Sequence, residues 1–482
     1  LAICGVGLFS DCGMVLQSKY SVMFGLPLAV WGIVQYLAVM ALYGISQILG
    51  SRFYKRLLFI QTAFGFIFSL YFLYLQIYVI GALCQYCLLS AFSSTLIYIL
   101  VRIEYKDEYQ AFHLEKFEFL YKLFVKPFLF LLPAELVHEQ AMYWGEVMGK
   151  IPVIQMVFSR LFTYKNQVLM TKVEQIEFSN PVGLAAGYDY EAAFPGILPS
   201  IGFGFQTIGT ISNNSFEGNP KPRLGRLPRS QSLLVNKGFR NPGAEVIIEK
   251  LRGTSFAFPV GISIGRTNSG ETNTLEKAIT DIVSAFTKFE KSKLKHSYYE
   301  LNISCPNLIG KVSFYPPKNL KTLLKALEKL KIKKPVFIKM PIEESDQEVE
   351  EMLKVIVAFT SIKGVIFGNL QKDRSDESFD QDEIQVAGKG HFSGKPTYRR
   401  SNELIRLAYR LHAKRLIIIG CGGVFTAEDA YRKVRYGASL IQLITGMIFE
   451  GPQRISQINR GLVELLKADG YKHISEAVGV DA

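Results

Sequence analysis

Asn302-Ile-Ser-Cys305-Pro-Asn307 sets two amides and a thiol along one short stretch. An amide both donates and accepts hydrogen bonds, so such a pair can hold a flat polar ring while the thiol beside it serves as a base. Redox chemistry on a small heterocycle is what this set suits. The other reading is a strand-to-loop turn in which Asn and Pro are punctuation and the cysteine is buried filler. Taken alone, the hexapeptide leaves the two readings even. A second chemical motif, Cys84-Gln-Tyr-Cys87, lies far upstream, with Cys4 and Cys12 earlier still. A Cys-x-x-Cys at a helix N-terminus gains thiolate character from exposed backbone N–H groups and suits thiol-disulfide exchange. Two static disulfides, or cysteines that are simply apolar, are the alternatives. No histidine lies near these cysteines, so no metal is expected.

Two kinds of structure must position these residues. A chain of 482 residues exceeds one ordinary domain, and 49% hydrophobic content with a mean hydropathy of +0.18 is high for a soluble protein. The excess concentrates in 26–49, 57–80 and 83–101, each long enough to cross a bilayer and nearly free of charge. Arg52, Lys55 and Arg56 lie between the first two runs, and Arg102 and Lys106 follow the third. The positive-inside rule puts both places in the cytoplasm and the four upstream cysteines on the outer side, where disulfides are permitted. The chain begins at Leu1 without Met, so its natural N-terminus, with room for another membrane helix, is expected upstream. A net charge of +13 favours an anionic membrane face; nucleic acid is not favoured, because no zinc-finger spacing or helix-turn-helix pattern accompanies it.

From Arg102 to about Lys165 the pattern is helical, with Phe117, Phe119, Tyr121, Phe124, Lys126, Phe128 and Phe130 interleaving aromatic and basic character. A core-packing helix and a helix lying on a membrane surface explain this stripe equally well. Leu132-Pro-Ala-Glu-Leu-Val-His138 opens another helix with Pro133 near its first turn, and His138 alone reads as a satisfied structural residue. From Val173 onward short apolar strands alternate with amphipathic helices: 205–210, 260–264, 298–303, 336–339, 364–367, 416–419 and 440–443. The fold class expected is α/β, a (β/α)8 TIM barrel with a helical N-terminal arm, preceded by an all-α transmembrane bundle. Leu184-Ala-Ala-Gly187 comes early, and Gly420-Cys-Gly-Gly423 and Thr445-Gly446 follow late strands, where the pair suits a phosphate. Cys421 has a close-packing explanation and no assigned role.

Cys4, Cys12, Ser18-Lys-Tyr, Phe24-Gly-Leu-Pro27, Trp31-Gly32 and Cys84-Gln-Tyr-Cys87 together resemble the vitamin K epoxide reductase family, its bacterial members in particular. The resemblance implies a four-helix bundle in which Cys4 and Cys12 shuttle electrons to Cys84 and Cys87, which face a quinone. Ser18 matches the family's loop serine, at the quinone. Only three helices are legible here. No thioredoxin-like domain is fused to the chain, so a separate thiol oxidase of that type is implied as partner.

Asn180-Pro-Val-Gly-Leu-Ala-Ala-Gly187, Ile208-Gly-Thr210, Asn219-Pro-Lys-Pro-Arg223, Val235-Asn236, Asn302 to Asn307, Lys339, Asn369 and the glycine pairs look, in this order, like dihydroorotate dehydrogenase. That family implies FMN at the barrel mouth, taking a hydride from dihydroorotate while a base removes a proton to give orotate. By resemblance Cys305 is the base, and Asn236, Asn302, Asn307 and Asn369 hold the pyrimidine. Lys339 would stand by the flavin N1 and O2, Ala186, Gly187, Thr210 and Asn302 would line the isoalloxazine, and Gly394, Gly423, Thr445 and Gly446 would hold the phosphate. The arm is similar to that of the quinone-linked class, in which His138 and Arg226 match residues lining a quinone tunnel. Four positions depart from the pattern. Cys305 stands where the quinone-linked class has Ser, Tyr190 where a Lys is expected, Gly368 for a Thr, and Ser263 for an Asn.

The expected organisation is a transmembrane domain over 1–102, a membrane-associated arm over 103–165, and an FMN-binding barrel over 166–482. The expected function is dihydroorotate oxidation and a second thiol oxidoreductase activity, both delivering electrons to quinone, in an inner membrane with the barrel in the cytoplasm. Two alternatives are a barrel enzyme whose N-terminal helices serve only as an anchor, and a flavoenzyme acting on another pyrimidine or an enoate.

Overall fold

The computed structural model describes residues 12–310 and 312–482, so Cys4 lies outside the described residues. The chain divides into two compact units, 1–116 and 117–482. In the first, α1 (Leu28–Leu49) follows Pro27 and stops at Gly50. The next helix, α2 (Arg52–Tyr74), is capped by the Ser51 hydroxyl, which accepts from the Phe53 N–H, and runs on as a π-helical turn to Ile80. After Cys84 comes α3 (Gln85–Glu104). Among the described residues these three helices are long and apolar enough to cross a membrane. Ile33, Leu37, Ile67 and Phe92 are exposed on them, as suits a lipid-facing surface. Polar groups turn inward instead: Gln61 Nε2 donates to Gln35 Oε1 at 2.5 Å, and Tyr36 Oη donates to the Ser90 carbonyl at 3.0 Å.

The aromatic segment resolves into α4 (Lys106–Leu120), a π turn over 121–125, a short helix Lys126–Leu131, then α5 (Ala134–Met148) and α6 (Pro152–Phe162). Its stripe divides between the two roles open to it. Tyr121 Oη donates to the Ile448 carbonyl at 2.7 Å and Phe130 meets Phe449 edge-on at 5.4 Å, so these two pack inward. Phe119, Leu123, Phe124, Phe128 and Leu131 stay exposed.

Eight parallel strands close a barrel in sequence order: β1 (Val182–Leu184), β2 (Phe205–Ile211), β3 (Val260–Ile264), β4 (Tyr298–Asn302), β5 (Val336–Met340), β6 (Ile362–Phe367), β7 (Ile417–Cys421) and β8 (Leu440–Leu443). Seven were expected as apolar runs; β1 was not. It has only three residues, and Gly183 at its centre leaves the space that the Phe205 ring fills. The helices between strands bury one face each. In Leu275–Lys291 that face is Ala278, Ile282, Ala285, Phe286 and Phe289, at helical spacing, and each large side chain contributes about 1.5–3 kcal/mol of burial. A separate antiparallel sheet of Leu224–Leu227, Ser232–Val235 and His391–Gly394 carries Arg226, leads into Asn236 and ends on Gly394.

Candidate functional site

Parallel strands all end at one face of a closed barrel, so short polar segments after each strand must converge there. Register sets the neighbours: Asn302 on β4 lies opposite Lys339 on β5, and Glu300 lies opposite Ser263 on β3. A hydrogen-bonded row follows. Asn302 Nδ2 donates to Thr210 Oγ1 at 2.8 Å, Thr210 and Ser263 hydroxyls are 2.9 Å apart, and Ser263 Oγ donates to Glu300 Oε1 at 2.9 Å. Lys339 Nζ is 3.9 Å from Glu300 and 3.5 Å from the Ala186 carbonyl, with both charged side chains buried. The other Glu300 oxygen has no hydrogen-bond partner. Ser263, where an Asn was expected, thus joins Thr210 to a buried carboxylate.

Beside this row opens a cleft lined by Ala186, Lys339, Gly368, Asn369, Gly394, Gly423, Thr445 and Gly446 among others. Gly422 and Gly423 sit at φ 89° and 68°, conformations that favour glycine, and a Cβ at Gly423 would run into Tyr398. Backbone N–H groups can therefore approach a bound phosphate closely. Ser393 and Thr445 hydroxyls lie 2.8 Å apart at the same end. Gly368 packs against the Cys421 carbonyl in the place a Cβ would take, which explains why no threonine stands there. The glycine end and the buried lysine that line this cleft fit the phosphate and the anionic edge of FMN.

The Cys305 loop adjoins the end of β4. Asn302 Oδ1 accepts from the Ser304 N–H and hydroxyl at 3.2 and 3.1 Å, and Asn369 Nδ2 donates to Ser304 Oγ at 2.7 Å. Asn307 Nδ2 donates to the Val235 carbonyl at 3.1 Å, next to Asn236. The four asparagines are therefore held from β4, β6 and the antiparallel sheet. Burial pushes the Cys305 thiol up to about 11, against the pull of the Asn307 N–H, Lys339, Arg266 and Lys372.

His138 on α5 is buried, with Nε2 donating to the Tyr188 carbonyl at 2.9 Å and Nδ1 accepting from Lys237 Nζ at 3.1 Å. Burial, with Lys237 beside it, holds its pKa down at about 3, so the imidazole is neutral. Burial and Arg240 likewise lower Lys237 to about 7. Lys237 Nζ also donates to Tyr190 Oη at 3.2 Å, as Arg240 does at 3.1 Å. The position where a lysine was expected is thus a buried tyrosine whose hydroxyl meets a lysine from another segment. Arg226 Nη1 donates to the Leu132 carbonyl at 2.7 Å, and its guanidinium lies 4.8 Å from the Phe130 ring. Both His138 and Arg226 therefore lie where the arm meets the barrel unit.

In the membrane unit Cys12 and Cys84 are buried in one cluster with Val15 and Ala82, and Cys87 packs against it from the first turn of α3. Gln76 Oε1 accepts from the Cys84 N–H at 2.8 Å. Ser18 Oγ donates to the Val15 carbonyl at 2.8 Å. Gly187 is placed by its N–H, which donates to the Gly209 carbonyl at 2.7 Å, rather than by the cleft.

Sequence reasoning missed Ser304, Glu300 and Lys237. Ser304 lies inside the opening motif, so position offered a signal for it. Glu300 and Lys237 act through contacts distant in sequence, which no local pattern marks.

Comparison with known proteins places these features. A model of the family described as dihydroorotate dehydrogenase matches residues 168–466, and one of the vitamin K epoxide reductase family matches 1–102. A dihydroorotate dehydrogenase (quinone) from Trichodesmium erythraeum is 34% identical over 338 residues, covering 68% of this chain and 87% of that protein. Another from Haloarcula marismortui is 33% identical over 357 residues, covering 74% and 98%. A crystal structure of DHODH from Eimeria tenella in complex with ferulenol has a TM-score of 0.64 at 24% identity, covers 72% of this chain and 96% of that one, and shares the fold.

Proposed function

The chain belongs to the dihydroorotate dehydrogenase family, joined to a segment of the vitamin K epoxide reductase family, and from that premise we propose that it oxidises dihydroorotate to orotate with a membrane quinone as acceptor. One observation carries the reading. A thiol, a buried lysine and four asparagine amides converge at the strand ends beside a glycine-lined cleft.

FMN, when bound there, supplies the acceptor for the hydride leaving C6 of dihydroorotate. Lys339 provides the cation for the negative charge that accompanies reduction, and Glu300 and the Ala186 carbonyl hold that ammonium in place. Gly394, Gly423, Thr445 and Gly446 hold the phosphate. Cys305, as thiolate, removes the C5 proton, and the bond pair left behind becomes the C5–C6 double bond as the hydride departs. Asn236, Asn302, Asn307 and Asn369 hold the ring and carboxylate; each has a protein partner that fixes its amide plane beforehand. Neutral His138 and charged Arg226, where arm meets barrel, bind the quinone. The arm, 103–165, lies on the lipid surface with Phe124, Phe128 and Leu131 in it.

In the membrane unit, 1–102, the Cys84–Cys87 pair closes to a disulfide, losing two electrons and two protons that reduce a quinone to quinol. Cys4 and Cys12, as thiols, return the pair to thiols by exchange and become a disulfide themselves, which the reduced dithiol of a separate thioredoxin-like thiol oxidase converts back to thiols as it is oxidised. Arg52, Lys55, Arg56 and Arg102 support an inner-membrane orientation with the barrel cytoplasmic and the cysteines outward. Steady-state orotate formation by the full FMN-loaded chain, with dihydroorotate and a quinone analogue, tests the first activity. Turnover with dihydrouracil and none with dihydroorotate would favour another pyrimidine as substrate.

A further inference from the structure

Asn219-Pro-Lys-Pro-Arg223 has no part in the chemistry above, yet the Asn219 side chain meets both of the neighbouring asparagine segments. Asn219 Nδ2 donates to Asn236 Oδ1 at 3.0 Å and to the Asn307 carbonyl at 2.9 Å, while Oδ1 accepts from Asn268 Nδ2 at 3.2 Å. Gly238 makes the room, since a Cβ there would overlap both Asn219 and Asn268. The Asn219 carbonyl accepts from Arg223 Nε at 2.5 Å, and the Asn236 N–H donates to the Arg223 carbonyl at 2.8 Å. Arg223 Nη1 reaches Glu135 Oε1 at 3.1 Å, with both side chains nearly buried. Glu135 stands on α5 one turn before His138. An unbroken row of direct bonds therefore runs from the arm helix to two segments that carry substrate amides.

We propose that Asn219 and Arg223 are positioning residues for dihydroorotate binding, and that Arg223 ties the substrate amides to the arm helix carrying His138. The proposal rests on the dihydroorotate reading of the site. Asn236 presents its Nδ2 donors in one orientation only, because Asn219 donates to its Oδ1 and so fixes which end of the amide is the acceptor. Arg223, a fork with fixed geometry, transmits the position of α5 because it spans Glu135 and the Asn219 carbonyl at once.

The test is anaerobic bleaching of the FMN-loaded full chain against dihydroorotate concentration, which yields a Kd and a limiting rate separately. Asn219→Leu, similar in shape and without hydrogen bonds, is expected to raise the Kd about tenfold or more while flavin content and the KM for a quinone analogue hold. Arg223→Lys, which keeps the charge facing Glu135 but loses the Nε donor, is expected to raise it severalfold. Glu135→Leu should do the same, and combined with Asn219→Leu it should add little, since one row is already broken. A Kd unchanged in Arg223→Lys, or fully additive effects in the double variant, would overturn the proposal. Loss of flavin and of both substrates' binding in parallel would show a purely structural role and overturn it too. A wild-type chain that holds FMN but is not bleached removes the dihydroorotate reading, and this proposal with it.

Discussion

As the base proposed, Cys305 acts only as a thiolate, and burial pushes its pKa up to about 11. At neutral pH the free protein therefore holds the thiol protonated, and the reactive fraction grows about tenfold per pH unit below that value. The rate of flavin bleaching by dihydroorotate is expected to climb steadily with pH between about 7 and 10. A flat profile over that range, measured by stopped flow, would show that Cys305 is not the base. Cys305→Ser should keep a slower reaction whose rise lies at still higher pH, and Cys305→Ala should lose about 10²–10⁴-fold. A serine variant as inactive as the alanine one would count against kinship with the quinone-linked class. Lys339 also has a structural role, because its removal leaves the Glu300 carboxylate buried without its nearest cation. Lys339→Met should lower stability by about 3 kcal/mol, seen as an earlier melting midpoint. The contiguous Asn302–Asn307 motif and Lys339 were legible in sequence because each sits at a strand end. The Lys237–Tyr190 contact was not, since its two members lie 47 residues apart.

The arm is positioned by close backbone approach as well as by side chains. Gly145 on α5 lies against the Phe194 ring, so a side chain there must displace that ring or push the helix outward, and Gly149, just past the end of α5, lies close against Gly196. Gly145→Leu is expected to cost about 1–3 kcal/mol and to raise the KM for a quinone analogue, because His138 moves with the helix. An unchanged KM in a variant with a lowered melting midpoint would separate the arm from quinone binding. Seven of the eight barrel strands could be read from apolar runs bounded by polar segments. The remaining strand, Val182–Leu184, could not, because its pairing with β8 and β2 comes from closure of the barrel and not from its own three residues. The aromatic stripe of the arm was ambiguous for a related reason. Periodicity marks an apolar face, but only tertiary contacts such as Tyr121 with Ile448 decide which part of that face packs inward.

At the scale of the molecule, two units share one chain and, in the function proposed, both do redox chemistry with one kind of acceptor. Each is held together by its own contacts, and the proposed chemistry of each closes without the other. Cys84→Ser is therefore expected to abolish periplasmic disulfide formation in a reporter assay while leaving dihydroorotate turnover within about twofold of wild type. Reporter activity that survives the substitution would make the N-terminal helices an anchor. Long uncharged apolar runs and short apolar strands alternating with amphipathic helices are different patterns, and the sequence shows both. The sequence put Cys12 on the same side as Cys84 and Cys87; that Cys12 and Cys84 pack in one buried cluster came only with the fold. The most direct measurement for the whole is a single turnover in the purified, FMN-loaded full chain under anaerobic conditions. Dihydroorotate should bleach the flavin absorbance with one orotate formed per flavin, and a quinone analogue should then restore it. A flavin that dihydroorotate leaves oxidised, or that regains its absorbance no faster with the quinone than without, would contradict the account.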